Sequence, residues 1–149
     1  MATEMYVKRI SDKAALPIKH NEQDAAYDLT SVESVDINPG ESAIVGTGLS
    51  IQVPKGTYGQ IAPRSGLSVK GIFVNAGVID RGYTGEVKVI LFNFGKQTVL
   101  LPGGSRIAQL IVKKIDSPTV VEVESLEAVD GRSEAGFGST GISGVQMRA

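Results

Sequence analysis

Apolar residues in this chain come in short β-branched runs, which turn residues interrupt at intervals of about 8–12 residues. Met5 to Ile10 reads as an opening strand, followed by a polar loop from Ser11 to Asp24. Asn38-Pro39-Gly40-Glu41 turns into a run from Ser42 to Val53, interrupted by Gly46 and Gly48 at positions suited to bulges. Pro54-Lys55-Gly56-Thr57 leads into Tyr58 to Ala62. Glu86 to Phe94 places Val87, Val89 and Leu91 on one face and Lys88, Ile90 and Phe92 on the other, so both faces are expected to be covered over its C-terminal half. Pro102-Gly103-Gly104 turns the chain into Arg106 to Ile115, and Val120 to Val123 repeats the pattern. Only Ser65 to Lys70 and Ser125 to Val129 are expected to hold a helical turn. The pattern predicts an all-β chain: a sandwich, jelly roll or barrel.

Composition narrows the chemistry. At 149 residues the chain is expected to form one domain. A formal net charge of -1 offers no general electrostatic hold on nucleic acid or on an acidic membrane, so any anion site must be local. Cysteine is absent, which excludes disulfides and thiol catalysis. His20 is the one histidine, leaving no His-rich metal site. No apolar run approaches the ~18 residues of a membrane span, and Met1 to Met5 lacks the apolar centre of a signal peptide. A cytoplasmic location is expected, and in a eukaryote a nuclear one as well.

Three islands carry the chemistry. Arg64-Ser65-Gly66 follows a strand; Ser65 can open a short helical turn whose amides suit a phosphate, with Arg64 as a forked cation. A plain turn with a surface arginine fits the same residues. Asp80-Arg81-Gly82-Tyr83 reads as a tight hairpin between strands ending near Ile79 and starting near Glu86. Asp80 either satisfies turn amides or, partly buried beside a pocket, serves as a base. Gly136-Phe137-Gly138-Ser139-Thr140-Gly141 spells G-x-G-x-x-G, but the eight residues after it are too few for a dinucleotide fold. A movable arm is the expectation, with a disordered tail as the alternative. Phe137, in a glycine-rich segment, suits stacking on a nucleobase, and Arg132 adds a second forked cation. The inventory fits a nucleoside triphosphate without a Walker loop.

In order and arrangement these islands resemble the homotrimeric dUTPase family. Ala25-Ala26-Tyr27-Asp28-Leu29, Pro63-Arg64-Ser65-Gly66-Leu67, Asn75 to Glu86, Arg106-Ile107-Ala108-Gln109-Leu110, and Arg132 with Gly136 to Gly141 are similar to its five motifs. The resemblance implies a jelly-roll-like β-barrel subunit, a homotrimer with active sites at subunit interfaces, and a C-terminal arm over 131–149 that closes on the nucleotide. It implies hydrolysis of dUTP to dUMP and pyrophosphate, with Mg²⁺ carried on the triphosphate rather than held directly by the protein. Such an activity limits uracil in DNA and supplies dUMP for thymidylate synthesis.

Carried over by position, Asp80 activates the water that attacks the α-phosphorus and Gln109 helps place phosphate and water. Arg64, Ser65 and Gly66 hold phosphate oxygens. Asn75, Gly77, Val78, Ile79 and Lys88 belong to the segment that reads uracil, mainly through backbone groups, while Tyr83 packs beneath the deoxyribose. Phe137, Gly138 and Ser139 belong to the closing arm with Arg132, and Asp28 organises the site. Three departures stand out: Ala26 for a common glycine, Ser105 for an acidic residue, and Ser133-Glu134-Ala135 for a glycine-rich run, which is expected to stiffen the arm. Two rival functions share these features: a dCTP deaminase and a non-catalytic module that binds dUTP.

Overall fold

The computed structural model describes residues 3–129, 131 and 133–148. They divide into two units, Met1–Asp116 and Ser117–Ala149. Among the described residues all regular structure lies in the first. Eleven strands run in chain order: β1 (Tyr6–Arg9), β2 (Tyr27–Thr30), β3 (Val35–Ile37), β4 (Ser42–Gly46), β5 (Leu49–Gln52), β6 (Thr57–Ala62), β7 (Ile72–Asn75), β8 (Val78–Ile79), β9 (Lys88–Asn93), β10 (Val99–Leu101) and β11 (Arg106–Lys114). One short helix, α1 (Ser65–Ser68), follows β6.

Every pairing between these strands is antiparallel, which lets one sheet face pack inward while the other meets solvent. β2, β11, β6 and β8 form the largest sheet, β4, β9 and β7 a second, and β1-β5 and β10-β3 form two ribbons. Among the described residues these sheets do not join into a closed barrel. The inward faces supply an almost purely aliphatic core, with Leu29, Leu49, Leu91 and Leu110 wholly buried among Ile and Val. Each such side chain contributes about 1.5–3 kcal/mol by leaving water. Buried Asn93 is satisfied: its amide donates to the Ile37 and Gln97 carbonyls at 2.8 Å, and its oxygen accepts from Gly95 N–H.

Several expectations need correction. The run from Ser42 to Val53 is two strands in different sheets, with the chain crossing at Thr47-Gly48 rather than bulging; Gly48 has φ +68 and a Cβ there would meet Ala14 and Val32 at 2.9 Å. Val120–Val123 is not a strand and Ser125–Val129 holds no helical turn. Val120 is almost fully exposed and Leu126 nearly so, so no apolar face fixes a register there. The outer face of β9 is only half covered at Ile90 and Phe92.

Candidate active site

Strand register brings one set of candidates into a single row. On β11, Gln109 lies opposite Asp28 of β2 on one side and Ala62 of β6 on the other. Arg106 and Gln109 are three residues apart, so a regular strand would point them to opposite faces. A bulge between Arg106 and Ala108 absorbs the mismatch: Ile107 and Ala108 are both buried in succession, and Arg106 and Gln109 both reach the outer side.

Asp28 is the hub of this row. Its side chain is only 11% exposed; Oδ1 lies 3.6 Å from Arg64 Nε and Oδ2 lies 3.7 Å from Arg106 Nε. Arg64 Nη1 also donates to the Arg106 carbonyl at 3.2 Å, and Gln109 Nε2 donates to the Pro63 carbonyl at 2.8 Å. Together these contacts fix the Pro63-Arg64 segment that leads into α1. Arg64 occupies the N-cap position in extended conformation and no side chain caps the helix, so Ser65 is its first helical residue. Leu67 and Ser68 N–H both donate to the Arg64 carbonyl, at 3.1 and 2.9 Å, so the first-turn amides without a partner in the helix are those of Ser65 and Gly66. A Cβ at Gly66 would meet nothing within 4 Å, leaving open space beside those amides. Ser105 donates to the Pro102 carbonyl, and Arg106 finds its carboxylate on Asp28 despite the missing acid at 105.

The second set of candidates lies around β8. The Asp80–Tyr83 segment is a turn, closed by Tyr83 N–H donating to the Asp80 carbonyl at 3.1 Å. It is not a hairpin, because β8 pairs with β6 whereas β9 pairs with β4 and β7; the turn links two sheets. Asp80 is exposed rather than partly buried, and no hydrogen bond or ion pair engages its carboxylate among the described residues. Tyr83 is better held. Its hydroxyl donates to the Glu86 carbonyl at 2.7 Å, and the ring lies so close over Gly85 that a Cβ there would sit 2.7 Å from Cε1.

Just before β8, Ala76 and Gly77 have φ 58 and 114. Gly77 is needed for packing, since a Cβ would meet the Ile61 carbonyl oxygen at 2.8 Å. Ala76 has no such freedom and stores about 1–2 kcal/mol of strain. Such strain gathers where a backbone must present groups to a ligand. Ile79 is a core side chain, so only its backbone is available to a ligand, whereas Asn75, Val78 and Lys88 are exposed.

In the second unit, Phe137 is fully exposed at φ 48, inside a turn closed by Ser139 N–H to the Gly136 carbonyl and followed by one closed by Gly141 N–H to the Gly138 carbonyl. Ser133 takes φ 50, so replacing a glycine there introduces strain. Arg132 lies outside the described residues.

A family model described as dUTPase matches residues 12–141. The chain belongs to the dUTPase family. The deoxyuridine 5'-triphosphate nucleotidohydrolase of Paramecium bursaria Chlorella virus 1 is 48% identical over 141 residues, covering 94% of this chain and 99% of that protein. The Staphylococcus bacteriophage 80alpha dUTPase solved with dUpNHpp has a TM-score of 0.84 and 31% identity, covering 95% of this chain and 100% of that one. A phage phi11 dUTPase of S. aureus, solved to reveal the coordination of a structural Mg(II) ion, has a TM-score of 0.79 and 26% identity, covering 84% of this chain and 99% of that one. The jelly-roll fold expected of a dUTPase chain agrees with these neighbours.

Two residues in the site escaped the sequence reading. Ala76 carries no signal, because strain is invisible without coordinates. His20 lies in the polar loop, eight positions before Asp28, but an isolated bridge between Ile18 and Asp28 lays that loop along β2. His20 Nε2 thereby comes within 3.0 Å of Asp28 Oδ2 and 2.8 Å of Arg106 Nη1.

Proposed function

We infer that this chain hydrolyses dUTP to dUMP and pyrophosphate, with Asp80 taking the proton from a water that attacks the α-phosphorus. The observation that carries this reading is that every position given a chemical role falls inside the matched segment, 12–141. Arg64, Ser65 and the open amides beside Gly66 form the phosphate cradle, held in place by Asp28 and Gln109. A general base of this kind contributes about 10²–10⁴-fold, and fixed donors around the phosphates supply most of the rest.

Mg²⁺ enters with the nucleotide. Among the described residues no three acidic or histidine groups converge, while the cradle presents an arginine, a hydroxyl and amides, all donors to phosphate. The residues therefore fit a metal–triphosphate complex that Arg64, Ser65 and the Gly66 amide would hold. When bound, the ion neutralises phosphate charge and aligns the chain of phosphates.

The working unit is a homotrimer in which each site is shared. Strand register supports this reading. Ile79 of β8 pairs with Gly59, whereas Arg64 lies five positions further along the β6 direction, about 16 Å away at ~3.3 Å per residue. That separation favours a site in which the cradle of one chain meets the Asp80 of a second copy. Ile44, Ile90, Phe92 and Phe73 share the outer face of the β4-β9-β7 sheet, giving an apolar surface suited to such contact. The segment from 131 to 149 acts as the closing arm, with Phe137 stacking on uracil and Arg132 on the terminal phosphate.

Pyrophosphate release measured with each deoxynucleotide, with and without Mg²⁺, tests the reading. Magnesium-dependent release from dUTP alone is expected. Ammonia from dCTP would instead establish the deaminase, and dUTP binding without turnover would establish the binding module.

A further inference from the structure

One nitrogen on His20 faces two incompatible neighbours. Nε2 accepts a hydrogen bond from Arg106 Nη1 at 2.8 Å, which requires a lone pair and hence the proton on Nδ1. The same Nε2 lies 3.0 Å from Asp28 Oδ2, a carboxylate oxygen that can only accept. Oδ2 is buried and has no hydrogen-bond donor in this arrangement. Orphaning a buried carboxylate oxygen costs about 1–3 kcal/mol or more, so the cluster holds an unmet demand for a proton.

We propose that His20 is a proton-operated positioning residue for the phosphate cradle, and that binding of the nucleotide triphosphate is coupled to proton uptake by its imidazole. With Nε2 unprotonated, His20 pins Arg106 and leaves Oδ2 unsatisfied. A proton on Nε2 turns the acceptor into a donor: a small rotation aims it at Oδ2, and Arg106 loses its hold on the ring. Arg106 then turns toward the anion side of the row, and the local charge rises by one. Both changes favour an anionic ligand beside Arg64 and Ser65. The sign follows from linkage: whatever binds the protonated form more tightly draws protons in, so affinity strengthens as pH falls.

Among the described residues the charged groups around the ring are few. Asp28 faces it from β2 and Arg106 from β11, and Arg64, beyond the end of β6, acts through Asp28. In its own loop, Lys19 lies 4.8 Å from the Tyr27 ring centroid, and Asp24 accepts from Asn21 N–H.

The proposal rests on the phosphate-cradle reading of Arg64 and Ser65, and calorimetry separates the two. Binding of dUpNHpp with Mg²⁺ is measured at several pH values, in buffers of different ionisation enthalpy, for the wild-type protein and for His20→Gln. The glutamine amide carries both a donor and an acceptor, so it can serve Asp28 and Arg106 together without a proton. Wild type should take up a larger fraction of a proton per site than His20→Gln. Its affinity should gain about three- to tenfold more between pH 8 and pH 6. His20→Ala, which frees Arg106 but offers no site for the proton, should lack the wild type's gain in affinity between pH 8 and pH 6. Equal proton uptake in wild type and His20→Gln would overturn the coupling while leaving the hydrolase reading intact. Absence of dUpNHpp binding in wild type would instead remove both.

Discussion

The row at Asp28 and the turn at Asp80 sit at opposite ends of β6 and are built in opposite ways. Around Asp28, two arginines, a histidine and a glutamine are tied to one carboxylate and to neighbouring carbonyls. At Asp80 the carboxylate is exposed and engages no partner among the described residues. A group that holds phosphate benefits from being fixed before the ligand arrives, because ordering is then not charged to binding. A general base has a different need: its oxygens must be open to a water. One chain thus carries an ordered row at Asp28 and an open carboxylate at Asp80, and in the proposed homotrimer a second subunit and the nucleotide would supply the surroundings that Asp80 lacks.

The sharpest way to break this contrast is Asp80→Asn. Removing the base should lower kcat by at least about 10²–10⁴-fold, while dUpNHpp affinity stays within a few-fold. Turnover near wild type would show that the proton leaves by another route. Loss of binding alongside turnover would show that Asp80 belongs to the cradle after all.

If the segment closes on the nucleotide as proposed, deleting residues 131–149 should produce the next largest effect, since stacking of a base on Phe137 alone would be worth roughly 1–3 kcal/mol. With the clamp on the last phosphate also gone, we expect kcat to fall by about 10²-fold and the melting temperature to stay within a few degrees. An unaltered rate would mean the site works open, and a collapsed melting transition would mean the segment supports the fold.

Asp28→Asn should act more mildly, and on KM. The amide keeps the shape of the hub but withdraws the charge that holds Arg64 and Arg106, so KM should rise about tenfold with kcat reduced less. Arg64 and Arg106 are 33% and 46% exposed and lie 3.6 and 3.7 Å from the carboxylate, so solvent screens these pairs and thermal unfolding should register about 1 kcal/mol or less. If kcat falls alone, Asp28 acts on the transition state and not on the cradle.

How much of this was legible beforehand depends on how far each feature reaches along the chain. Strands such as Arg106 to Lys114 and the turn entering α1 follow from local alternation and glycine spacing, and the family motifs marked Asp28, Arg64 and Asp80 as residues to watch. Pairing partners were not local. That β8 bonds to β6 and not to β9 turned an expected hairpin into a link between sheets, and nothing within residues 75–88 encodes that choice. The bulge that brings Arg106 and Gln109 to one side, the left-handed Ala76 and the contact of His20 with Asp28 likewise depend on partners distant in sequence. Val120–Val123 failed in the opposite sense: its composition suits a strand, but composition supplies no neighbour to pair with.

The smallest expected effect is also the most discriminating for substrate choice. Gly85 is not at positive φ, so Gly85→Ala adds no left-handed backbone strain, and the three atoms nearest the new Cβ all belong to Tyr83: the hydroxyl oxygen at 2.5 Å and two ring carbons at 2.7 Å. The ring is 42% exposed and can swing aside, at the cost of its hydrogen bond to the Glu86 carbonyl, a loss of about 1 kcal/mol. If the ring is the floor beneath deoxyribose, tilting it should lower kcat/KM for dUTP a few-fold while raising the UTP to dUTP ratio several-fold, in the direction of Tyr83→Ala but to a smaller extent. An equal fall with both sugars would mean that the ring only packs the turn, and that the 2′ position is read by a group elsewhere in the shared site.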